Sequence, residues 1–375
     1  MKFLHTADWQ IGLKAAQVGP AGERVREERL ASAQRVVELA RSEGVEFIVV
    51  AGDTFEDNAV DRVMVQRVAD ILARFGGPVY VIPGNHDPLV PGSMWEHPAW
   101  TSATNIRVLR KADLVEIPGG VLFPCPALSK YARLDPTAWI KAGQAGGIRI
   151  GVAHGTVGNI HQEEPDYPIP ADAAARCGLD YLALGHWHST ALYPDAGGAV
   201  RMAYSGTHEQ TKFGERDSGN ALIVEIEGPG ERPVVRSVPV GGLRWEAMSE
   251  TLREAGDLAR IRERVERLEK PEAMLLDILI TGFLPADDRG ELKRLEEVVA
   301  AKFLFGRVNS SSVLPSPVDE SWVTGLPAGV IRQAAERLRA MADPENRESR
   351  PDGVTTEIAA RALLELYALQ EGGGR

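Results

Sequence analysis

Five short stretches carry the side chains of this chain that could do chemistry: Asp8-Trp9-Gln10, Gly52-Asp53, Gly84-Asn85-His86-Asp87, His154-Gly155 and Gly185-His186-Trp187-His188. Residues i and i+2 of an extended segment project to one side, so Asp8 with Gln10, and His186 with His188, can address one object. Asn85 offers a hard amide oxygen to a metal, His86 a proton donor or acceptor, and Asp87 a carboxylate able to orient that imidazole. Oxygen and imidazole donors without thiolates suit Mn, Fe or Zn, and Mg less well. Asp8, Gln10, Asp53, Asn85, His154, His186 and His188 outnumber what one ion needs. Two divalent cations are therefore expected, with Asp53 the natural bridging carboxylate. The chemistry such a pair supports is hydrolysis of a phosphate ester by an activated water. His5, His97, His161 and His208 stand alone and are expected to be structural or exposed. No Ser or Cys sits in a context that suggests a nucleophile.

Each stretch follows a short apolar run that reads as a buried strand, over residues 2–7, 46–51, 79–83, 148–153 and 179–184. Helical patterns at 21–42 and 61–75 separate the first three runs. Strand, helix, strand, helix, strand predicts parallel strands with crossovers, and in open α/β sheets ligands bind at the carboxyl ends. Short β-like runs at 106–124 extend the sheet with antiparallel members. A Pro- and acid-rich loop at 163–170 and a short helix precede the fifth motif strand, and 200–204, 221–227 and 234–240 read as closing strands. Gly241-Gly242 marks a boundary. Beyond it a helix at 251–269, a strand at 273–280, a helix at 287–302 and a strand at 303–309 form a small α+β module. Residues 309–320, rich in Ser and Pro, read as a linker, and helices at 327–342 and 355–369 complete the chain.

The 375 residues carry 42 Lys+Arg against 53 Asp+Glu, a net charge of −11. It is spread over the chain, with 23 against 29 in residues 1–240 and 19 against 24 in 241–375. A protein that holds nucleic acid by phosphate neutralisation alone is normally basic, which argues against tight autonomous DNA binding. It argues less strongly against a phosphodiester substrate, because bound cations can supply positive charge. Two cysteines far apart, Cys125 and Cys177, exclude a disulfide framework and a thiolate zinc site, and fit a reducing compartment. Asp8 interrupts the apolar stretch after Lys2, so no signal peptide is expected, and no apolar run approaches a membrane span. A cytoplasmic, enzyme-sized protein is expected.

In order, Asp8-Trp9-Gln10, Gly52-Asp53-Thr54-Phe55-Glu56-Asp57-Asn58, Gly84-Asn85-His86-Asp87, His154-Gly155 and Gly185-His186-Trp187-His188 resemble the motifs of calcineurin-like metallophosphoesterases. Within that superfamily the chain looks like the SbcD branch of DNA double-strand-break repair nucleases, strongly over the first 240 residues and more loosely over the 243–310 module. The resemblance implies an α/β fold of two packed mixed β-sheets flanked by helices over 1–240. A small α+β cap domain at 243–310 and C-terminal helices within 311–375 would follow. It implies that Asp8, Asp53 and His188 hold one metal, and Asp53, Asn85, His154 and His186 the second, with Mn the expected ion. His86 would act at the scissile phosphate, supported by Asp87. Gln10 departs from the pattern, which has histidine there; a neutral amide oxygen is a weaker ligand than imidazole, acting directly or through a water. Trp9 and Trp187 lie inside the motifs, where packing support for the loops is the expected role and stacking on a base the alternative.

Arg260, Arg262, Arg264, Arg267 and Lys270 of the module are interleaved with Glu263, Glu266 and Glu269, so a solvated, salt-bridged face is expected there. Apolar stripes at Ile331, Ala334, Leu338 and Met341, and at Ile358, Leu363, Leu366 and Tyr367, are usually core. By resemblance such segments dock on the coiled-coil base of an SbcC-like ATPase. The expected function is an Mn-dependent DNA exonuclease or endonuclease acting in repair, with DNA and that ATPase as partners and a homodimer allowed. The alternatives are a phosphoesterase acting on a small nucleotide or other phosphate ester, and a catalytically weak scaffold subunit.

Overall fold

A computed structural model describes residues 1–158, 166–285, 288–317, 320–346 and 350–372. His161, residues 163–165 of the acid-rich loop and Asp287 lie outside the described residues. The chain divides into two compact units, Met1–Trp245 and Glu246–Arg375.

The first unit opens with β1 (Lys2–Thr6), α1 (Gly22–Ser42), β2 (Phe47–Ala51), α2 (Arg62–Ala73), β3 (Val79–Ile82), α3 (Ala99–Ser102) and β4 (Ile106–Val108). It continues with β5 (Val115–Ile117), β6 (Gly120–Cys125), β7 (Ile148–His154), α4 (Ala173–Cys177), β8 (Tyr181–Gly185), β9 (Ala191–Pro194), β10 (Val200–Tyr204), β11 (Asn220–Glu225) and β12 (Val234–Pro239). Two six-stranded mixed sheets result, β12-β11-β1-β2-β3-β4 and β5-β6-β7-β8-β10-β9.

Alternation along each strand builds the layers. Phe3, Phe47, Val49 and Tyr80 point between the sheets against Leu122, Ile150, Val152 and Tyr181. Leu4, Ile48, Val50 and Val81 face the other way, onto Val36 and Val37 of α1 and Val68 and Leu72 of α2. Fully burying one such side chain stabilises by about 1.5–3 kcal/mol. Asp61 starts α2 by accepting the Val63 N–H at 2.8 Å, an N-cap. On the outer side of the second sheet, Phe123, Leu182 and Leu184 pack with Ala173 and Cys177 of α4. Strands β1, β2 and β3 are mutually parallel, as are β6, β7, β8 and β10. Parallel strands put their carboxyl ends along one rim of each sheet.

The expected antiparallel extension over 106–124 holds only for β5. β4 joins the first sheet parallel to β3, and only β5, antiparallel to β6, reverses direction, at the edge of the second sheet.

The second unit contains a three-stranded sheet of β13 (Arg244–Leu252), β14 (Met274–Leu284) and β15 (Phe305–Pro315). With it come α5 (Asp257–Glu266), α6 (Arg289–Lys302), α7 (Ser321–Gly325), α8 (Val330–Ala342) and α9 (Thr356–Gly372). Leu258, Ile261 and Val265 of α5 and Leu295 and Val299 of α6 cover Leu276 and Ile278 of β14. Two sequence expectations change here. The start of the 251–269 helix is strand β13, with α5 beginning only after Gly256. The Ser-rich start of the 309–320 linker is the second half of β15, paired in parallel with β14 as far as Leu284↔Pro315. Pairing with a buried apolar strand overrides the weak β-propensity of serine.

Candidate metal centre

The donors expected from the sequence meet at the carboxyl ends of β1, β2, β3, β7 and β8. The turns that bring them there are unusual. Eight described non-glycine residues have positive φ, and four of them are Asp8 (54°), Gln10 (41°), Asp53 (50°) and His186 (108°). Side chains rarely adopt this backbone, and clusters of it mark sites where geometry is imposed by function. Two glycines let the loops close on one another. A Cβ at Gly84 would lie 2.2 Å from the backbone N and Oδ1 of Asp53, and one at Gly52 (φ +91°) would lie 2.3 Å from Nδ1 of His154.

The second sheet's histidines reach across to the first sheet's carboxylates. His154 Nε2 lies 2.9 Å from Asn85 Oδ1 and 3.3 Å from Asp53 Oδ1, and His186 Nδ1 lies 3.1 Å from the same Asn85 oxygen. Ligand atoms of Asp8, Asp53 and His154 all fall within 4.8 Å of one another, and all three residues are buried. Donors bound at about 2.1 Å to one cation stand roughly 3.0–3.4 Å apart, close to the 2.9–3.3 Å separations of His154 and His186 from Asn85 and Asp53. His154 Nδ1 is held by the Ala51 carbonyl at 2.9 Å, which leaves Nε2 as a lone-pair donor facing Asp53. His186 N–H donates to Asp8 Oδ1 at 2.9 Å, and His86 N–H donates to Asp53 Oδ1 at 2.8 Å.

The charges in this cage are poised for a cation. Burial pushes the Asp8 carboxyl up to about 6 despite the histidines beside it. Burial also acts on Asp53, but His154 and His86 more than offset it and hold that carboxyl down at about 2. Burial disfavours charge on His154, yet Asp53 raises it to about 9. Burial and then His154 drive His186 down to about 3, a neutral imidazole at any working pH.

His188 is held differently. Its Nδ1 contacts Glu215 Oε1 at 2.7 Å and Thr211 Oγ1 at 3.2 Å. A carboxylate on the far nitrogen fixes the tautomer and raises the basicity of a ligating imidazole. Burial opposes it, but Glu215 and Asp8 hold His188 above its ordinary range. Gln10 is buried, its N–H donates to the Asp53 carbonyl at 2.9 Å, and it lines a cleft of about 610 Å³ with His86, His186 and His188.

Asp87 is not the orienting partner of His86. Its two oxygens accept the N–H groups of Gly84 at 2.7 Å and Phe55 at 2.9 Å, so this buried carboxylate pins the two motif loops together. The His86 ring is oriented through Nδ1 by the Glu56 carbonyl at 3.0 Å. The tetrapeptide is too tight to turn the Asp87 side chain outward, because its amides need an acceptor.

Other residues of the site left no signal in the sequence. Arg29 reads as part of a charged helix face, yet it is buried and its guanidinium donates to the carbonyls of Trp9 (3.1 Å) and Glu209 (2.8 Å), clamping the first motif. Glu215 and Thr211 lie 27 and 23 residues beyond His188, in no periodic pattern. Asp166 accepts from Asn85 Nδ2 at 3.3 Å. Glu56 lines the cleft, and one of its oxygens is buried with no hydrogen-bond partner among the described residues. The lone histidines with described positions are structural: His5 bridges the sheets to Tyr181 (3.1 Å) and the Leu184 carbonyl (3.1 Å), His208 holds the Arg29 carbonyl (2.8 Å), and His97 accepts the Ala99 N–H (3.2 Å).

This fold with this donor set is that of a metal-using phosphoester hydrolase. The chain belongs to the calcineurin-like phosphoesterases, whose family profile matches residues 1–190. It is 26% identical over 281 residues to the uncharacterized metallophosphoesterase YhaO of Bacillus subtilis strain 168, covering 71% of this chain and 67% of that protein. It is 24% identical over 297 residues to the SbcD component of the SbcCD nuclease of the same organism, covering 66% and 72%. Among solved structures, the protein TT1561 of Thermus thermophilus matches over 64% of this chain and 98% of that one, at 12% identity and a TM-score of 0.41. No helix among the described residues is long and apolar enough to cross a membrane.

Proposed function

We propose that this chain is a DNA nuclease of the SbcD type, hydrolysing phosphodiester bonds in DNA repair with two Mn ions. The observation that supports the reading is the donor cluster itself: ligand atoms of Asp8, Asp53 and His154 lie within 4.8 Å of one another, and His154 and His186 meet at Asn85 Oδ1. In this reading Asp8, Asp53 and His188 hold one ion, with Gln10 beside it, and Asp53, Asn85, His154 and His186 the other. When bound, such a pair supplies Lewis acidity to the phosphate and a water acidic enough to attack phosphorus. The chain's own residues do the rest. The Glu56 carbonyl aims His86, which protonates the departing oxygen. Arg29 and Asp87 keep the loops in register, and Glu215 keeps His188 in its ligating tautomer.

The likeness to the SbcD component of the SbcCD nuclease supports DNA as substrate. In this reading the β13–β15 sheet with α5 and α6 is the cap, and α7 to α9 are the docking helices. Val330, Ile331, Ile358 and Leu369 on α8 and α9 are exposed apolar residues, consistent with docking on an SbcC-like ATPase. The module arginines support no DNA track, since Arg260, Arg262, Arg264 and Arg267 each pair with an acidic neighbour. A cytoplasmic location and a homodimer belong to the same reading. The net charge of −11 favours a second one, a phosphoesterase for a small nucleotide or other phosphate ester. Assay of the full chain with Mn on single- and double-stranded DNA, beside bis-p-nitrophenyl phosphate, separates them. Hydrolysis of DNA is expected; turnover of the small diester with intact DNA would establish the second reading instead.

A further inference from the structure

The two tryptophans inside the motifs have opposite surroundings. Trp9 is fully buried; its indole N–H donates to Thr6 Oγ1 at 2.8 Å and its ring packs 5.1 Å from His208. It is a packing residue. Trp187 stands between His186 and His188, yet 39% of it is exposed, and it lines the 610 Å³ cleft that contains His86. The exposed part of the indole is therefore open to a ligand in the cleft. The same cleft holds Lys212, the only lysine or arginine among its lining residues, and the Lys212 side chain is exposed and makes no ion pair among the described residues. A net charge of −11 gives a strand little overall electrostatic attraction, which puts weight on local contacts beside the metal centre.

We propose that Trp187 and Lys212 form a nucleoside subsite on the rim of the metal centre. The indole stacks on the base flanking the scissile phosphate, and the ammonium takes the next phosphate of the strand. Every base has a π face, so the subsite recognises nucleic acid without reading its sequence. It also makes salt dependence shallow, with a slope near that of one neutralised phosphate. This deepens the nuclease reading and rests on it.

Two diesters with the same leaving group test it: thymidine 5′-(p-nitrophenyl phosphate) and its base-free deoxyribose counterpart, assayed on the full chain with Mn. The expected ratio of kcat/KM favours the nucleoside by about 5- to 150-fold, the range of one stacked base. Trp187→Ala should bring that ratio close to one, while Trp187→Phe keeps most of it. Lys212→Gln should raise KM for a short single strand uniformly across sequences and lower its salt slope by about one charge. Should Trp187→Ala disturb metal loading, inhibition of the native chain decides: thymidine 5′-monophosphate should bind several-fold tighter than deoxyribose 5-phosphate. Equal kcat/KM for the two diesters, or equal inhibition by the two monophosphates, overturns the subsite even when DNA is cleaved. Failure to cleave DNA removes the nuclease reading instead, and the small-diester ratio still decides the subsite.

Discussion

His86 is the one imidazole of the rim whose proposed task is chemical rather than ligating. Its backbone N–H is tied to Asp53 and its Nδ1 to the Glu56 carbonyl, so Nε2 is free to carry a proton toward the cleft. Removing a general acid typically costs about a hundred- to ten-thousand-fold in rate. His86→Asn should therefore lose roughly that factor in kcat on DNA while metal content, read by elemental analysis, stays that of the native chain. The loss should shrink on bis-p-nitrophenyl phosphate, whose leaving group needs little protonation. Equal losses on both substrates would instead make His86 a residue that positions the phosphate. The donor types are legible in the sequence because each motif directly follows an apolar run. The task of Asp87 is not legible, since side-chain direction inside a tight turn depends on which amides lack acceptors. Glu215 is invisible for another reason: it reaches His188 from a separate loop.

Between residue and molecule stands the strand-to-loop junction, the unit that aims the donors. Five apolar runs each followed by a polar cluster make the junctions readable, since a buried parallel strand has a simple signature and its carboxyl end follows from it. What failed were segments whose fate depends on a neighbour: the Ser-rich half of β15, which is a strand because β14 pairs with it, and β13, which carries no apolar run and whose last two residues read as the start of a helix. The junctions are also where backbone approach is tightest. Gly84→Ala would place a methyl 2.2 Å from Asp53 N and Oδ1, atoms with no room to retreat, because Asp53 also accepts from His86. The loops must part, and the cage with them. Activity and stoichiometric metal should both vanish, while far-ultraviolet circular dichroism keeps its native shape because the sheets do not depend on the contact. Native metal content in a soluble Gly84→Ala chain would mean that the loops close with slack to spare.

At the scale of the whole molecule, the first unit folds around a buried knot of like charge. Asp8, Asp53 and Asp87 are all buried, and burial together with Asp53 pushes the Asp87 carboxyl well above its ordinary range. A cation that binds only the folded state stabilises it by about 2.7 kcal/mol at a hundred times its dissociation constant. For a unit of this size that is about 5–10 °C in melting temperature per ion. The effect has a pH sign. Ligands must shed protons to take metal, and in the metal-free cage Asp8 holds its proton to about 6 and His154 to about 9. His154 titrates higher folded than unfolded, so its protonation stabilises the metal-free protein fully below about 6.5, and that contribution is lost as pH rises through about 9. The metal-free chain should thus lose melting temperature from about pH 6.5 to 9, while the Mn-induced shift grows over the same range. Calorimetry with Mn and with a chelator at the two ends of that range measures both slopes. Hydrogen exchange locates the change: Mn should slow exchange in the loops around Asp8, Asp53, Asn85 and His186 and leave β14 untouched, because the second unit has a core of its own. A shift that shrinks with pH, or protection spread evenly into β14, would place the cation outside the cage.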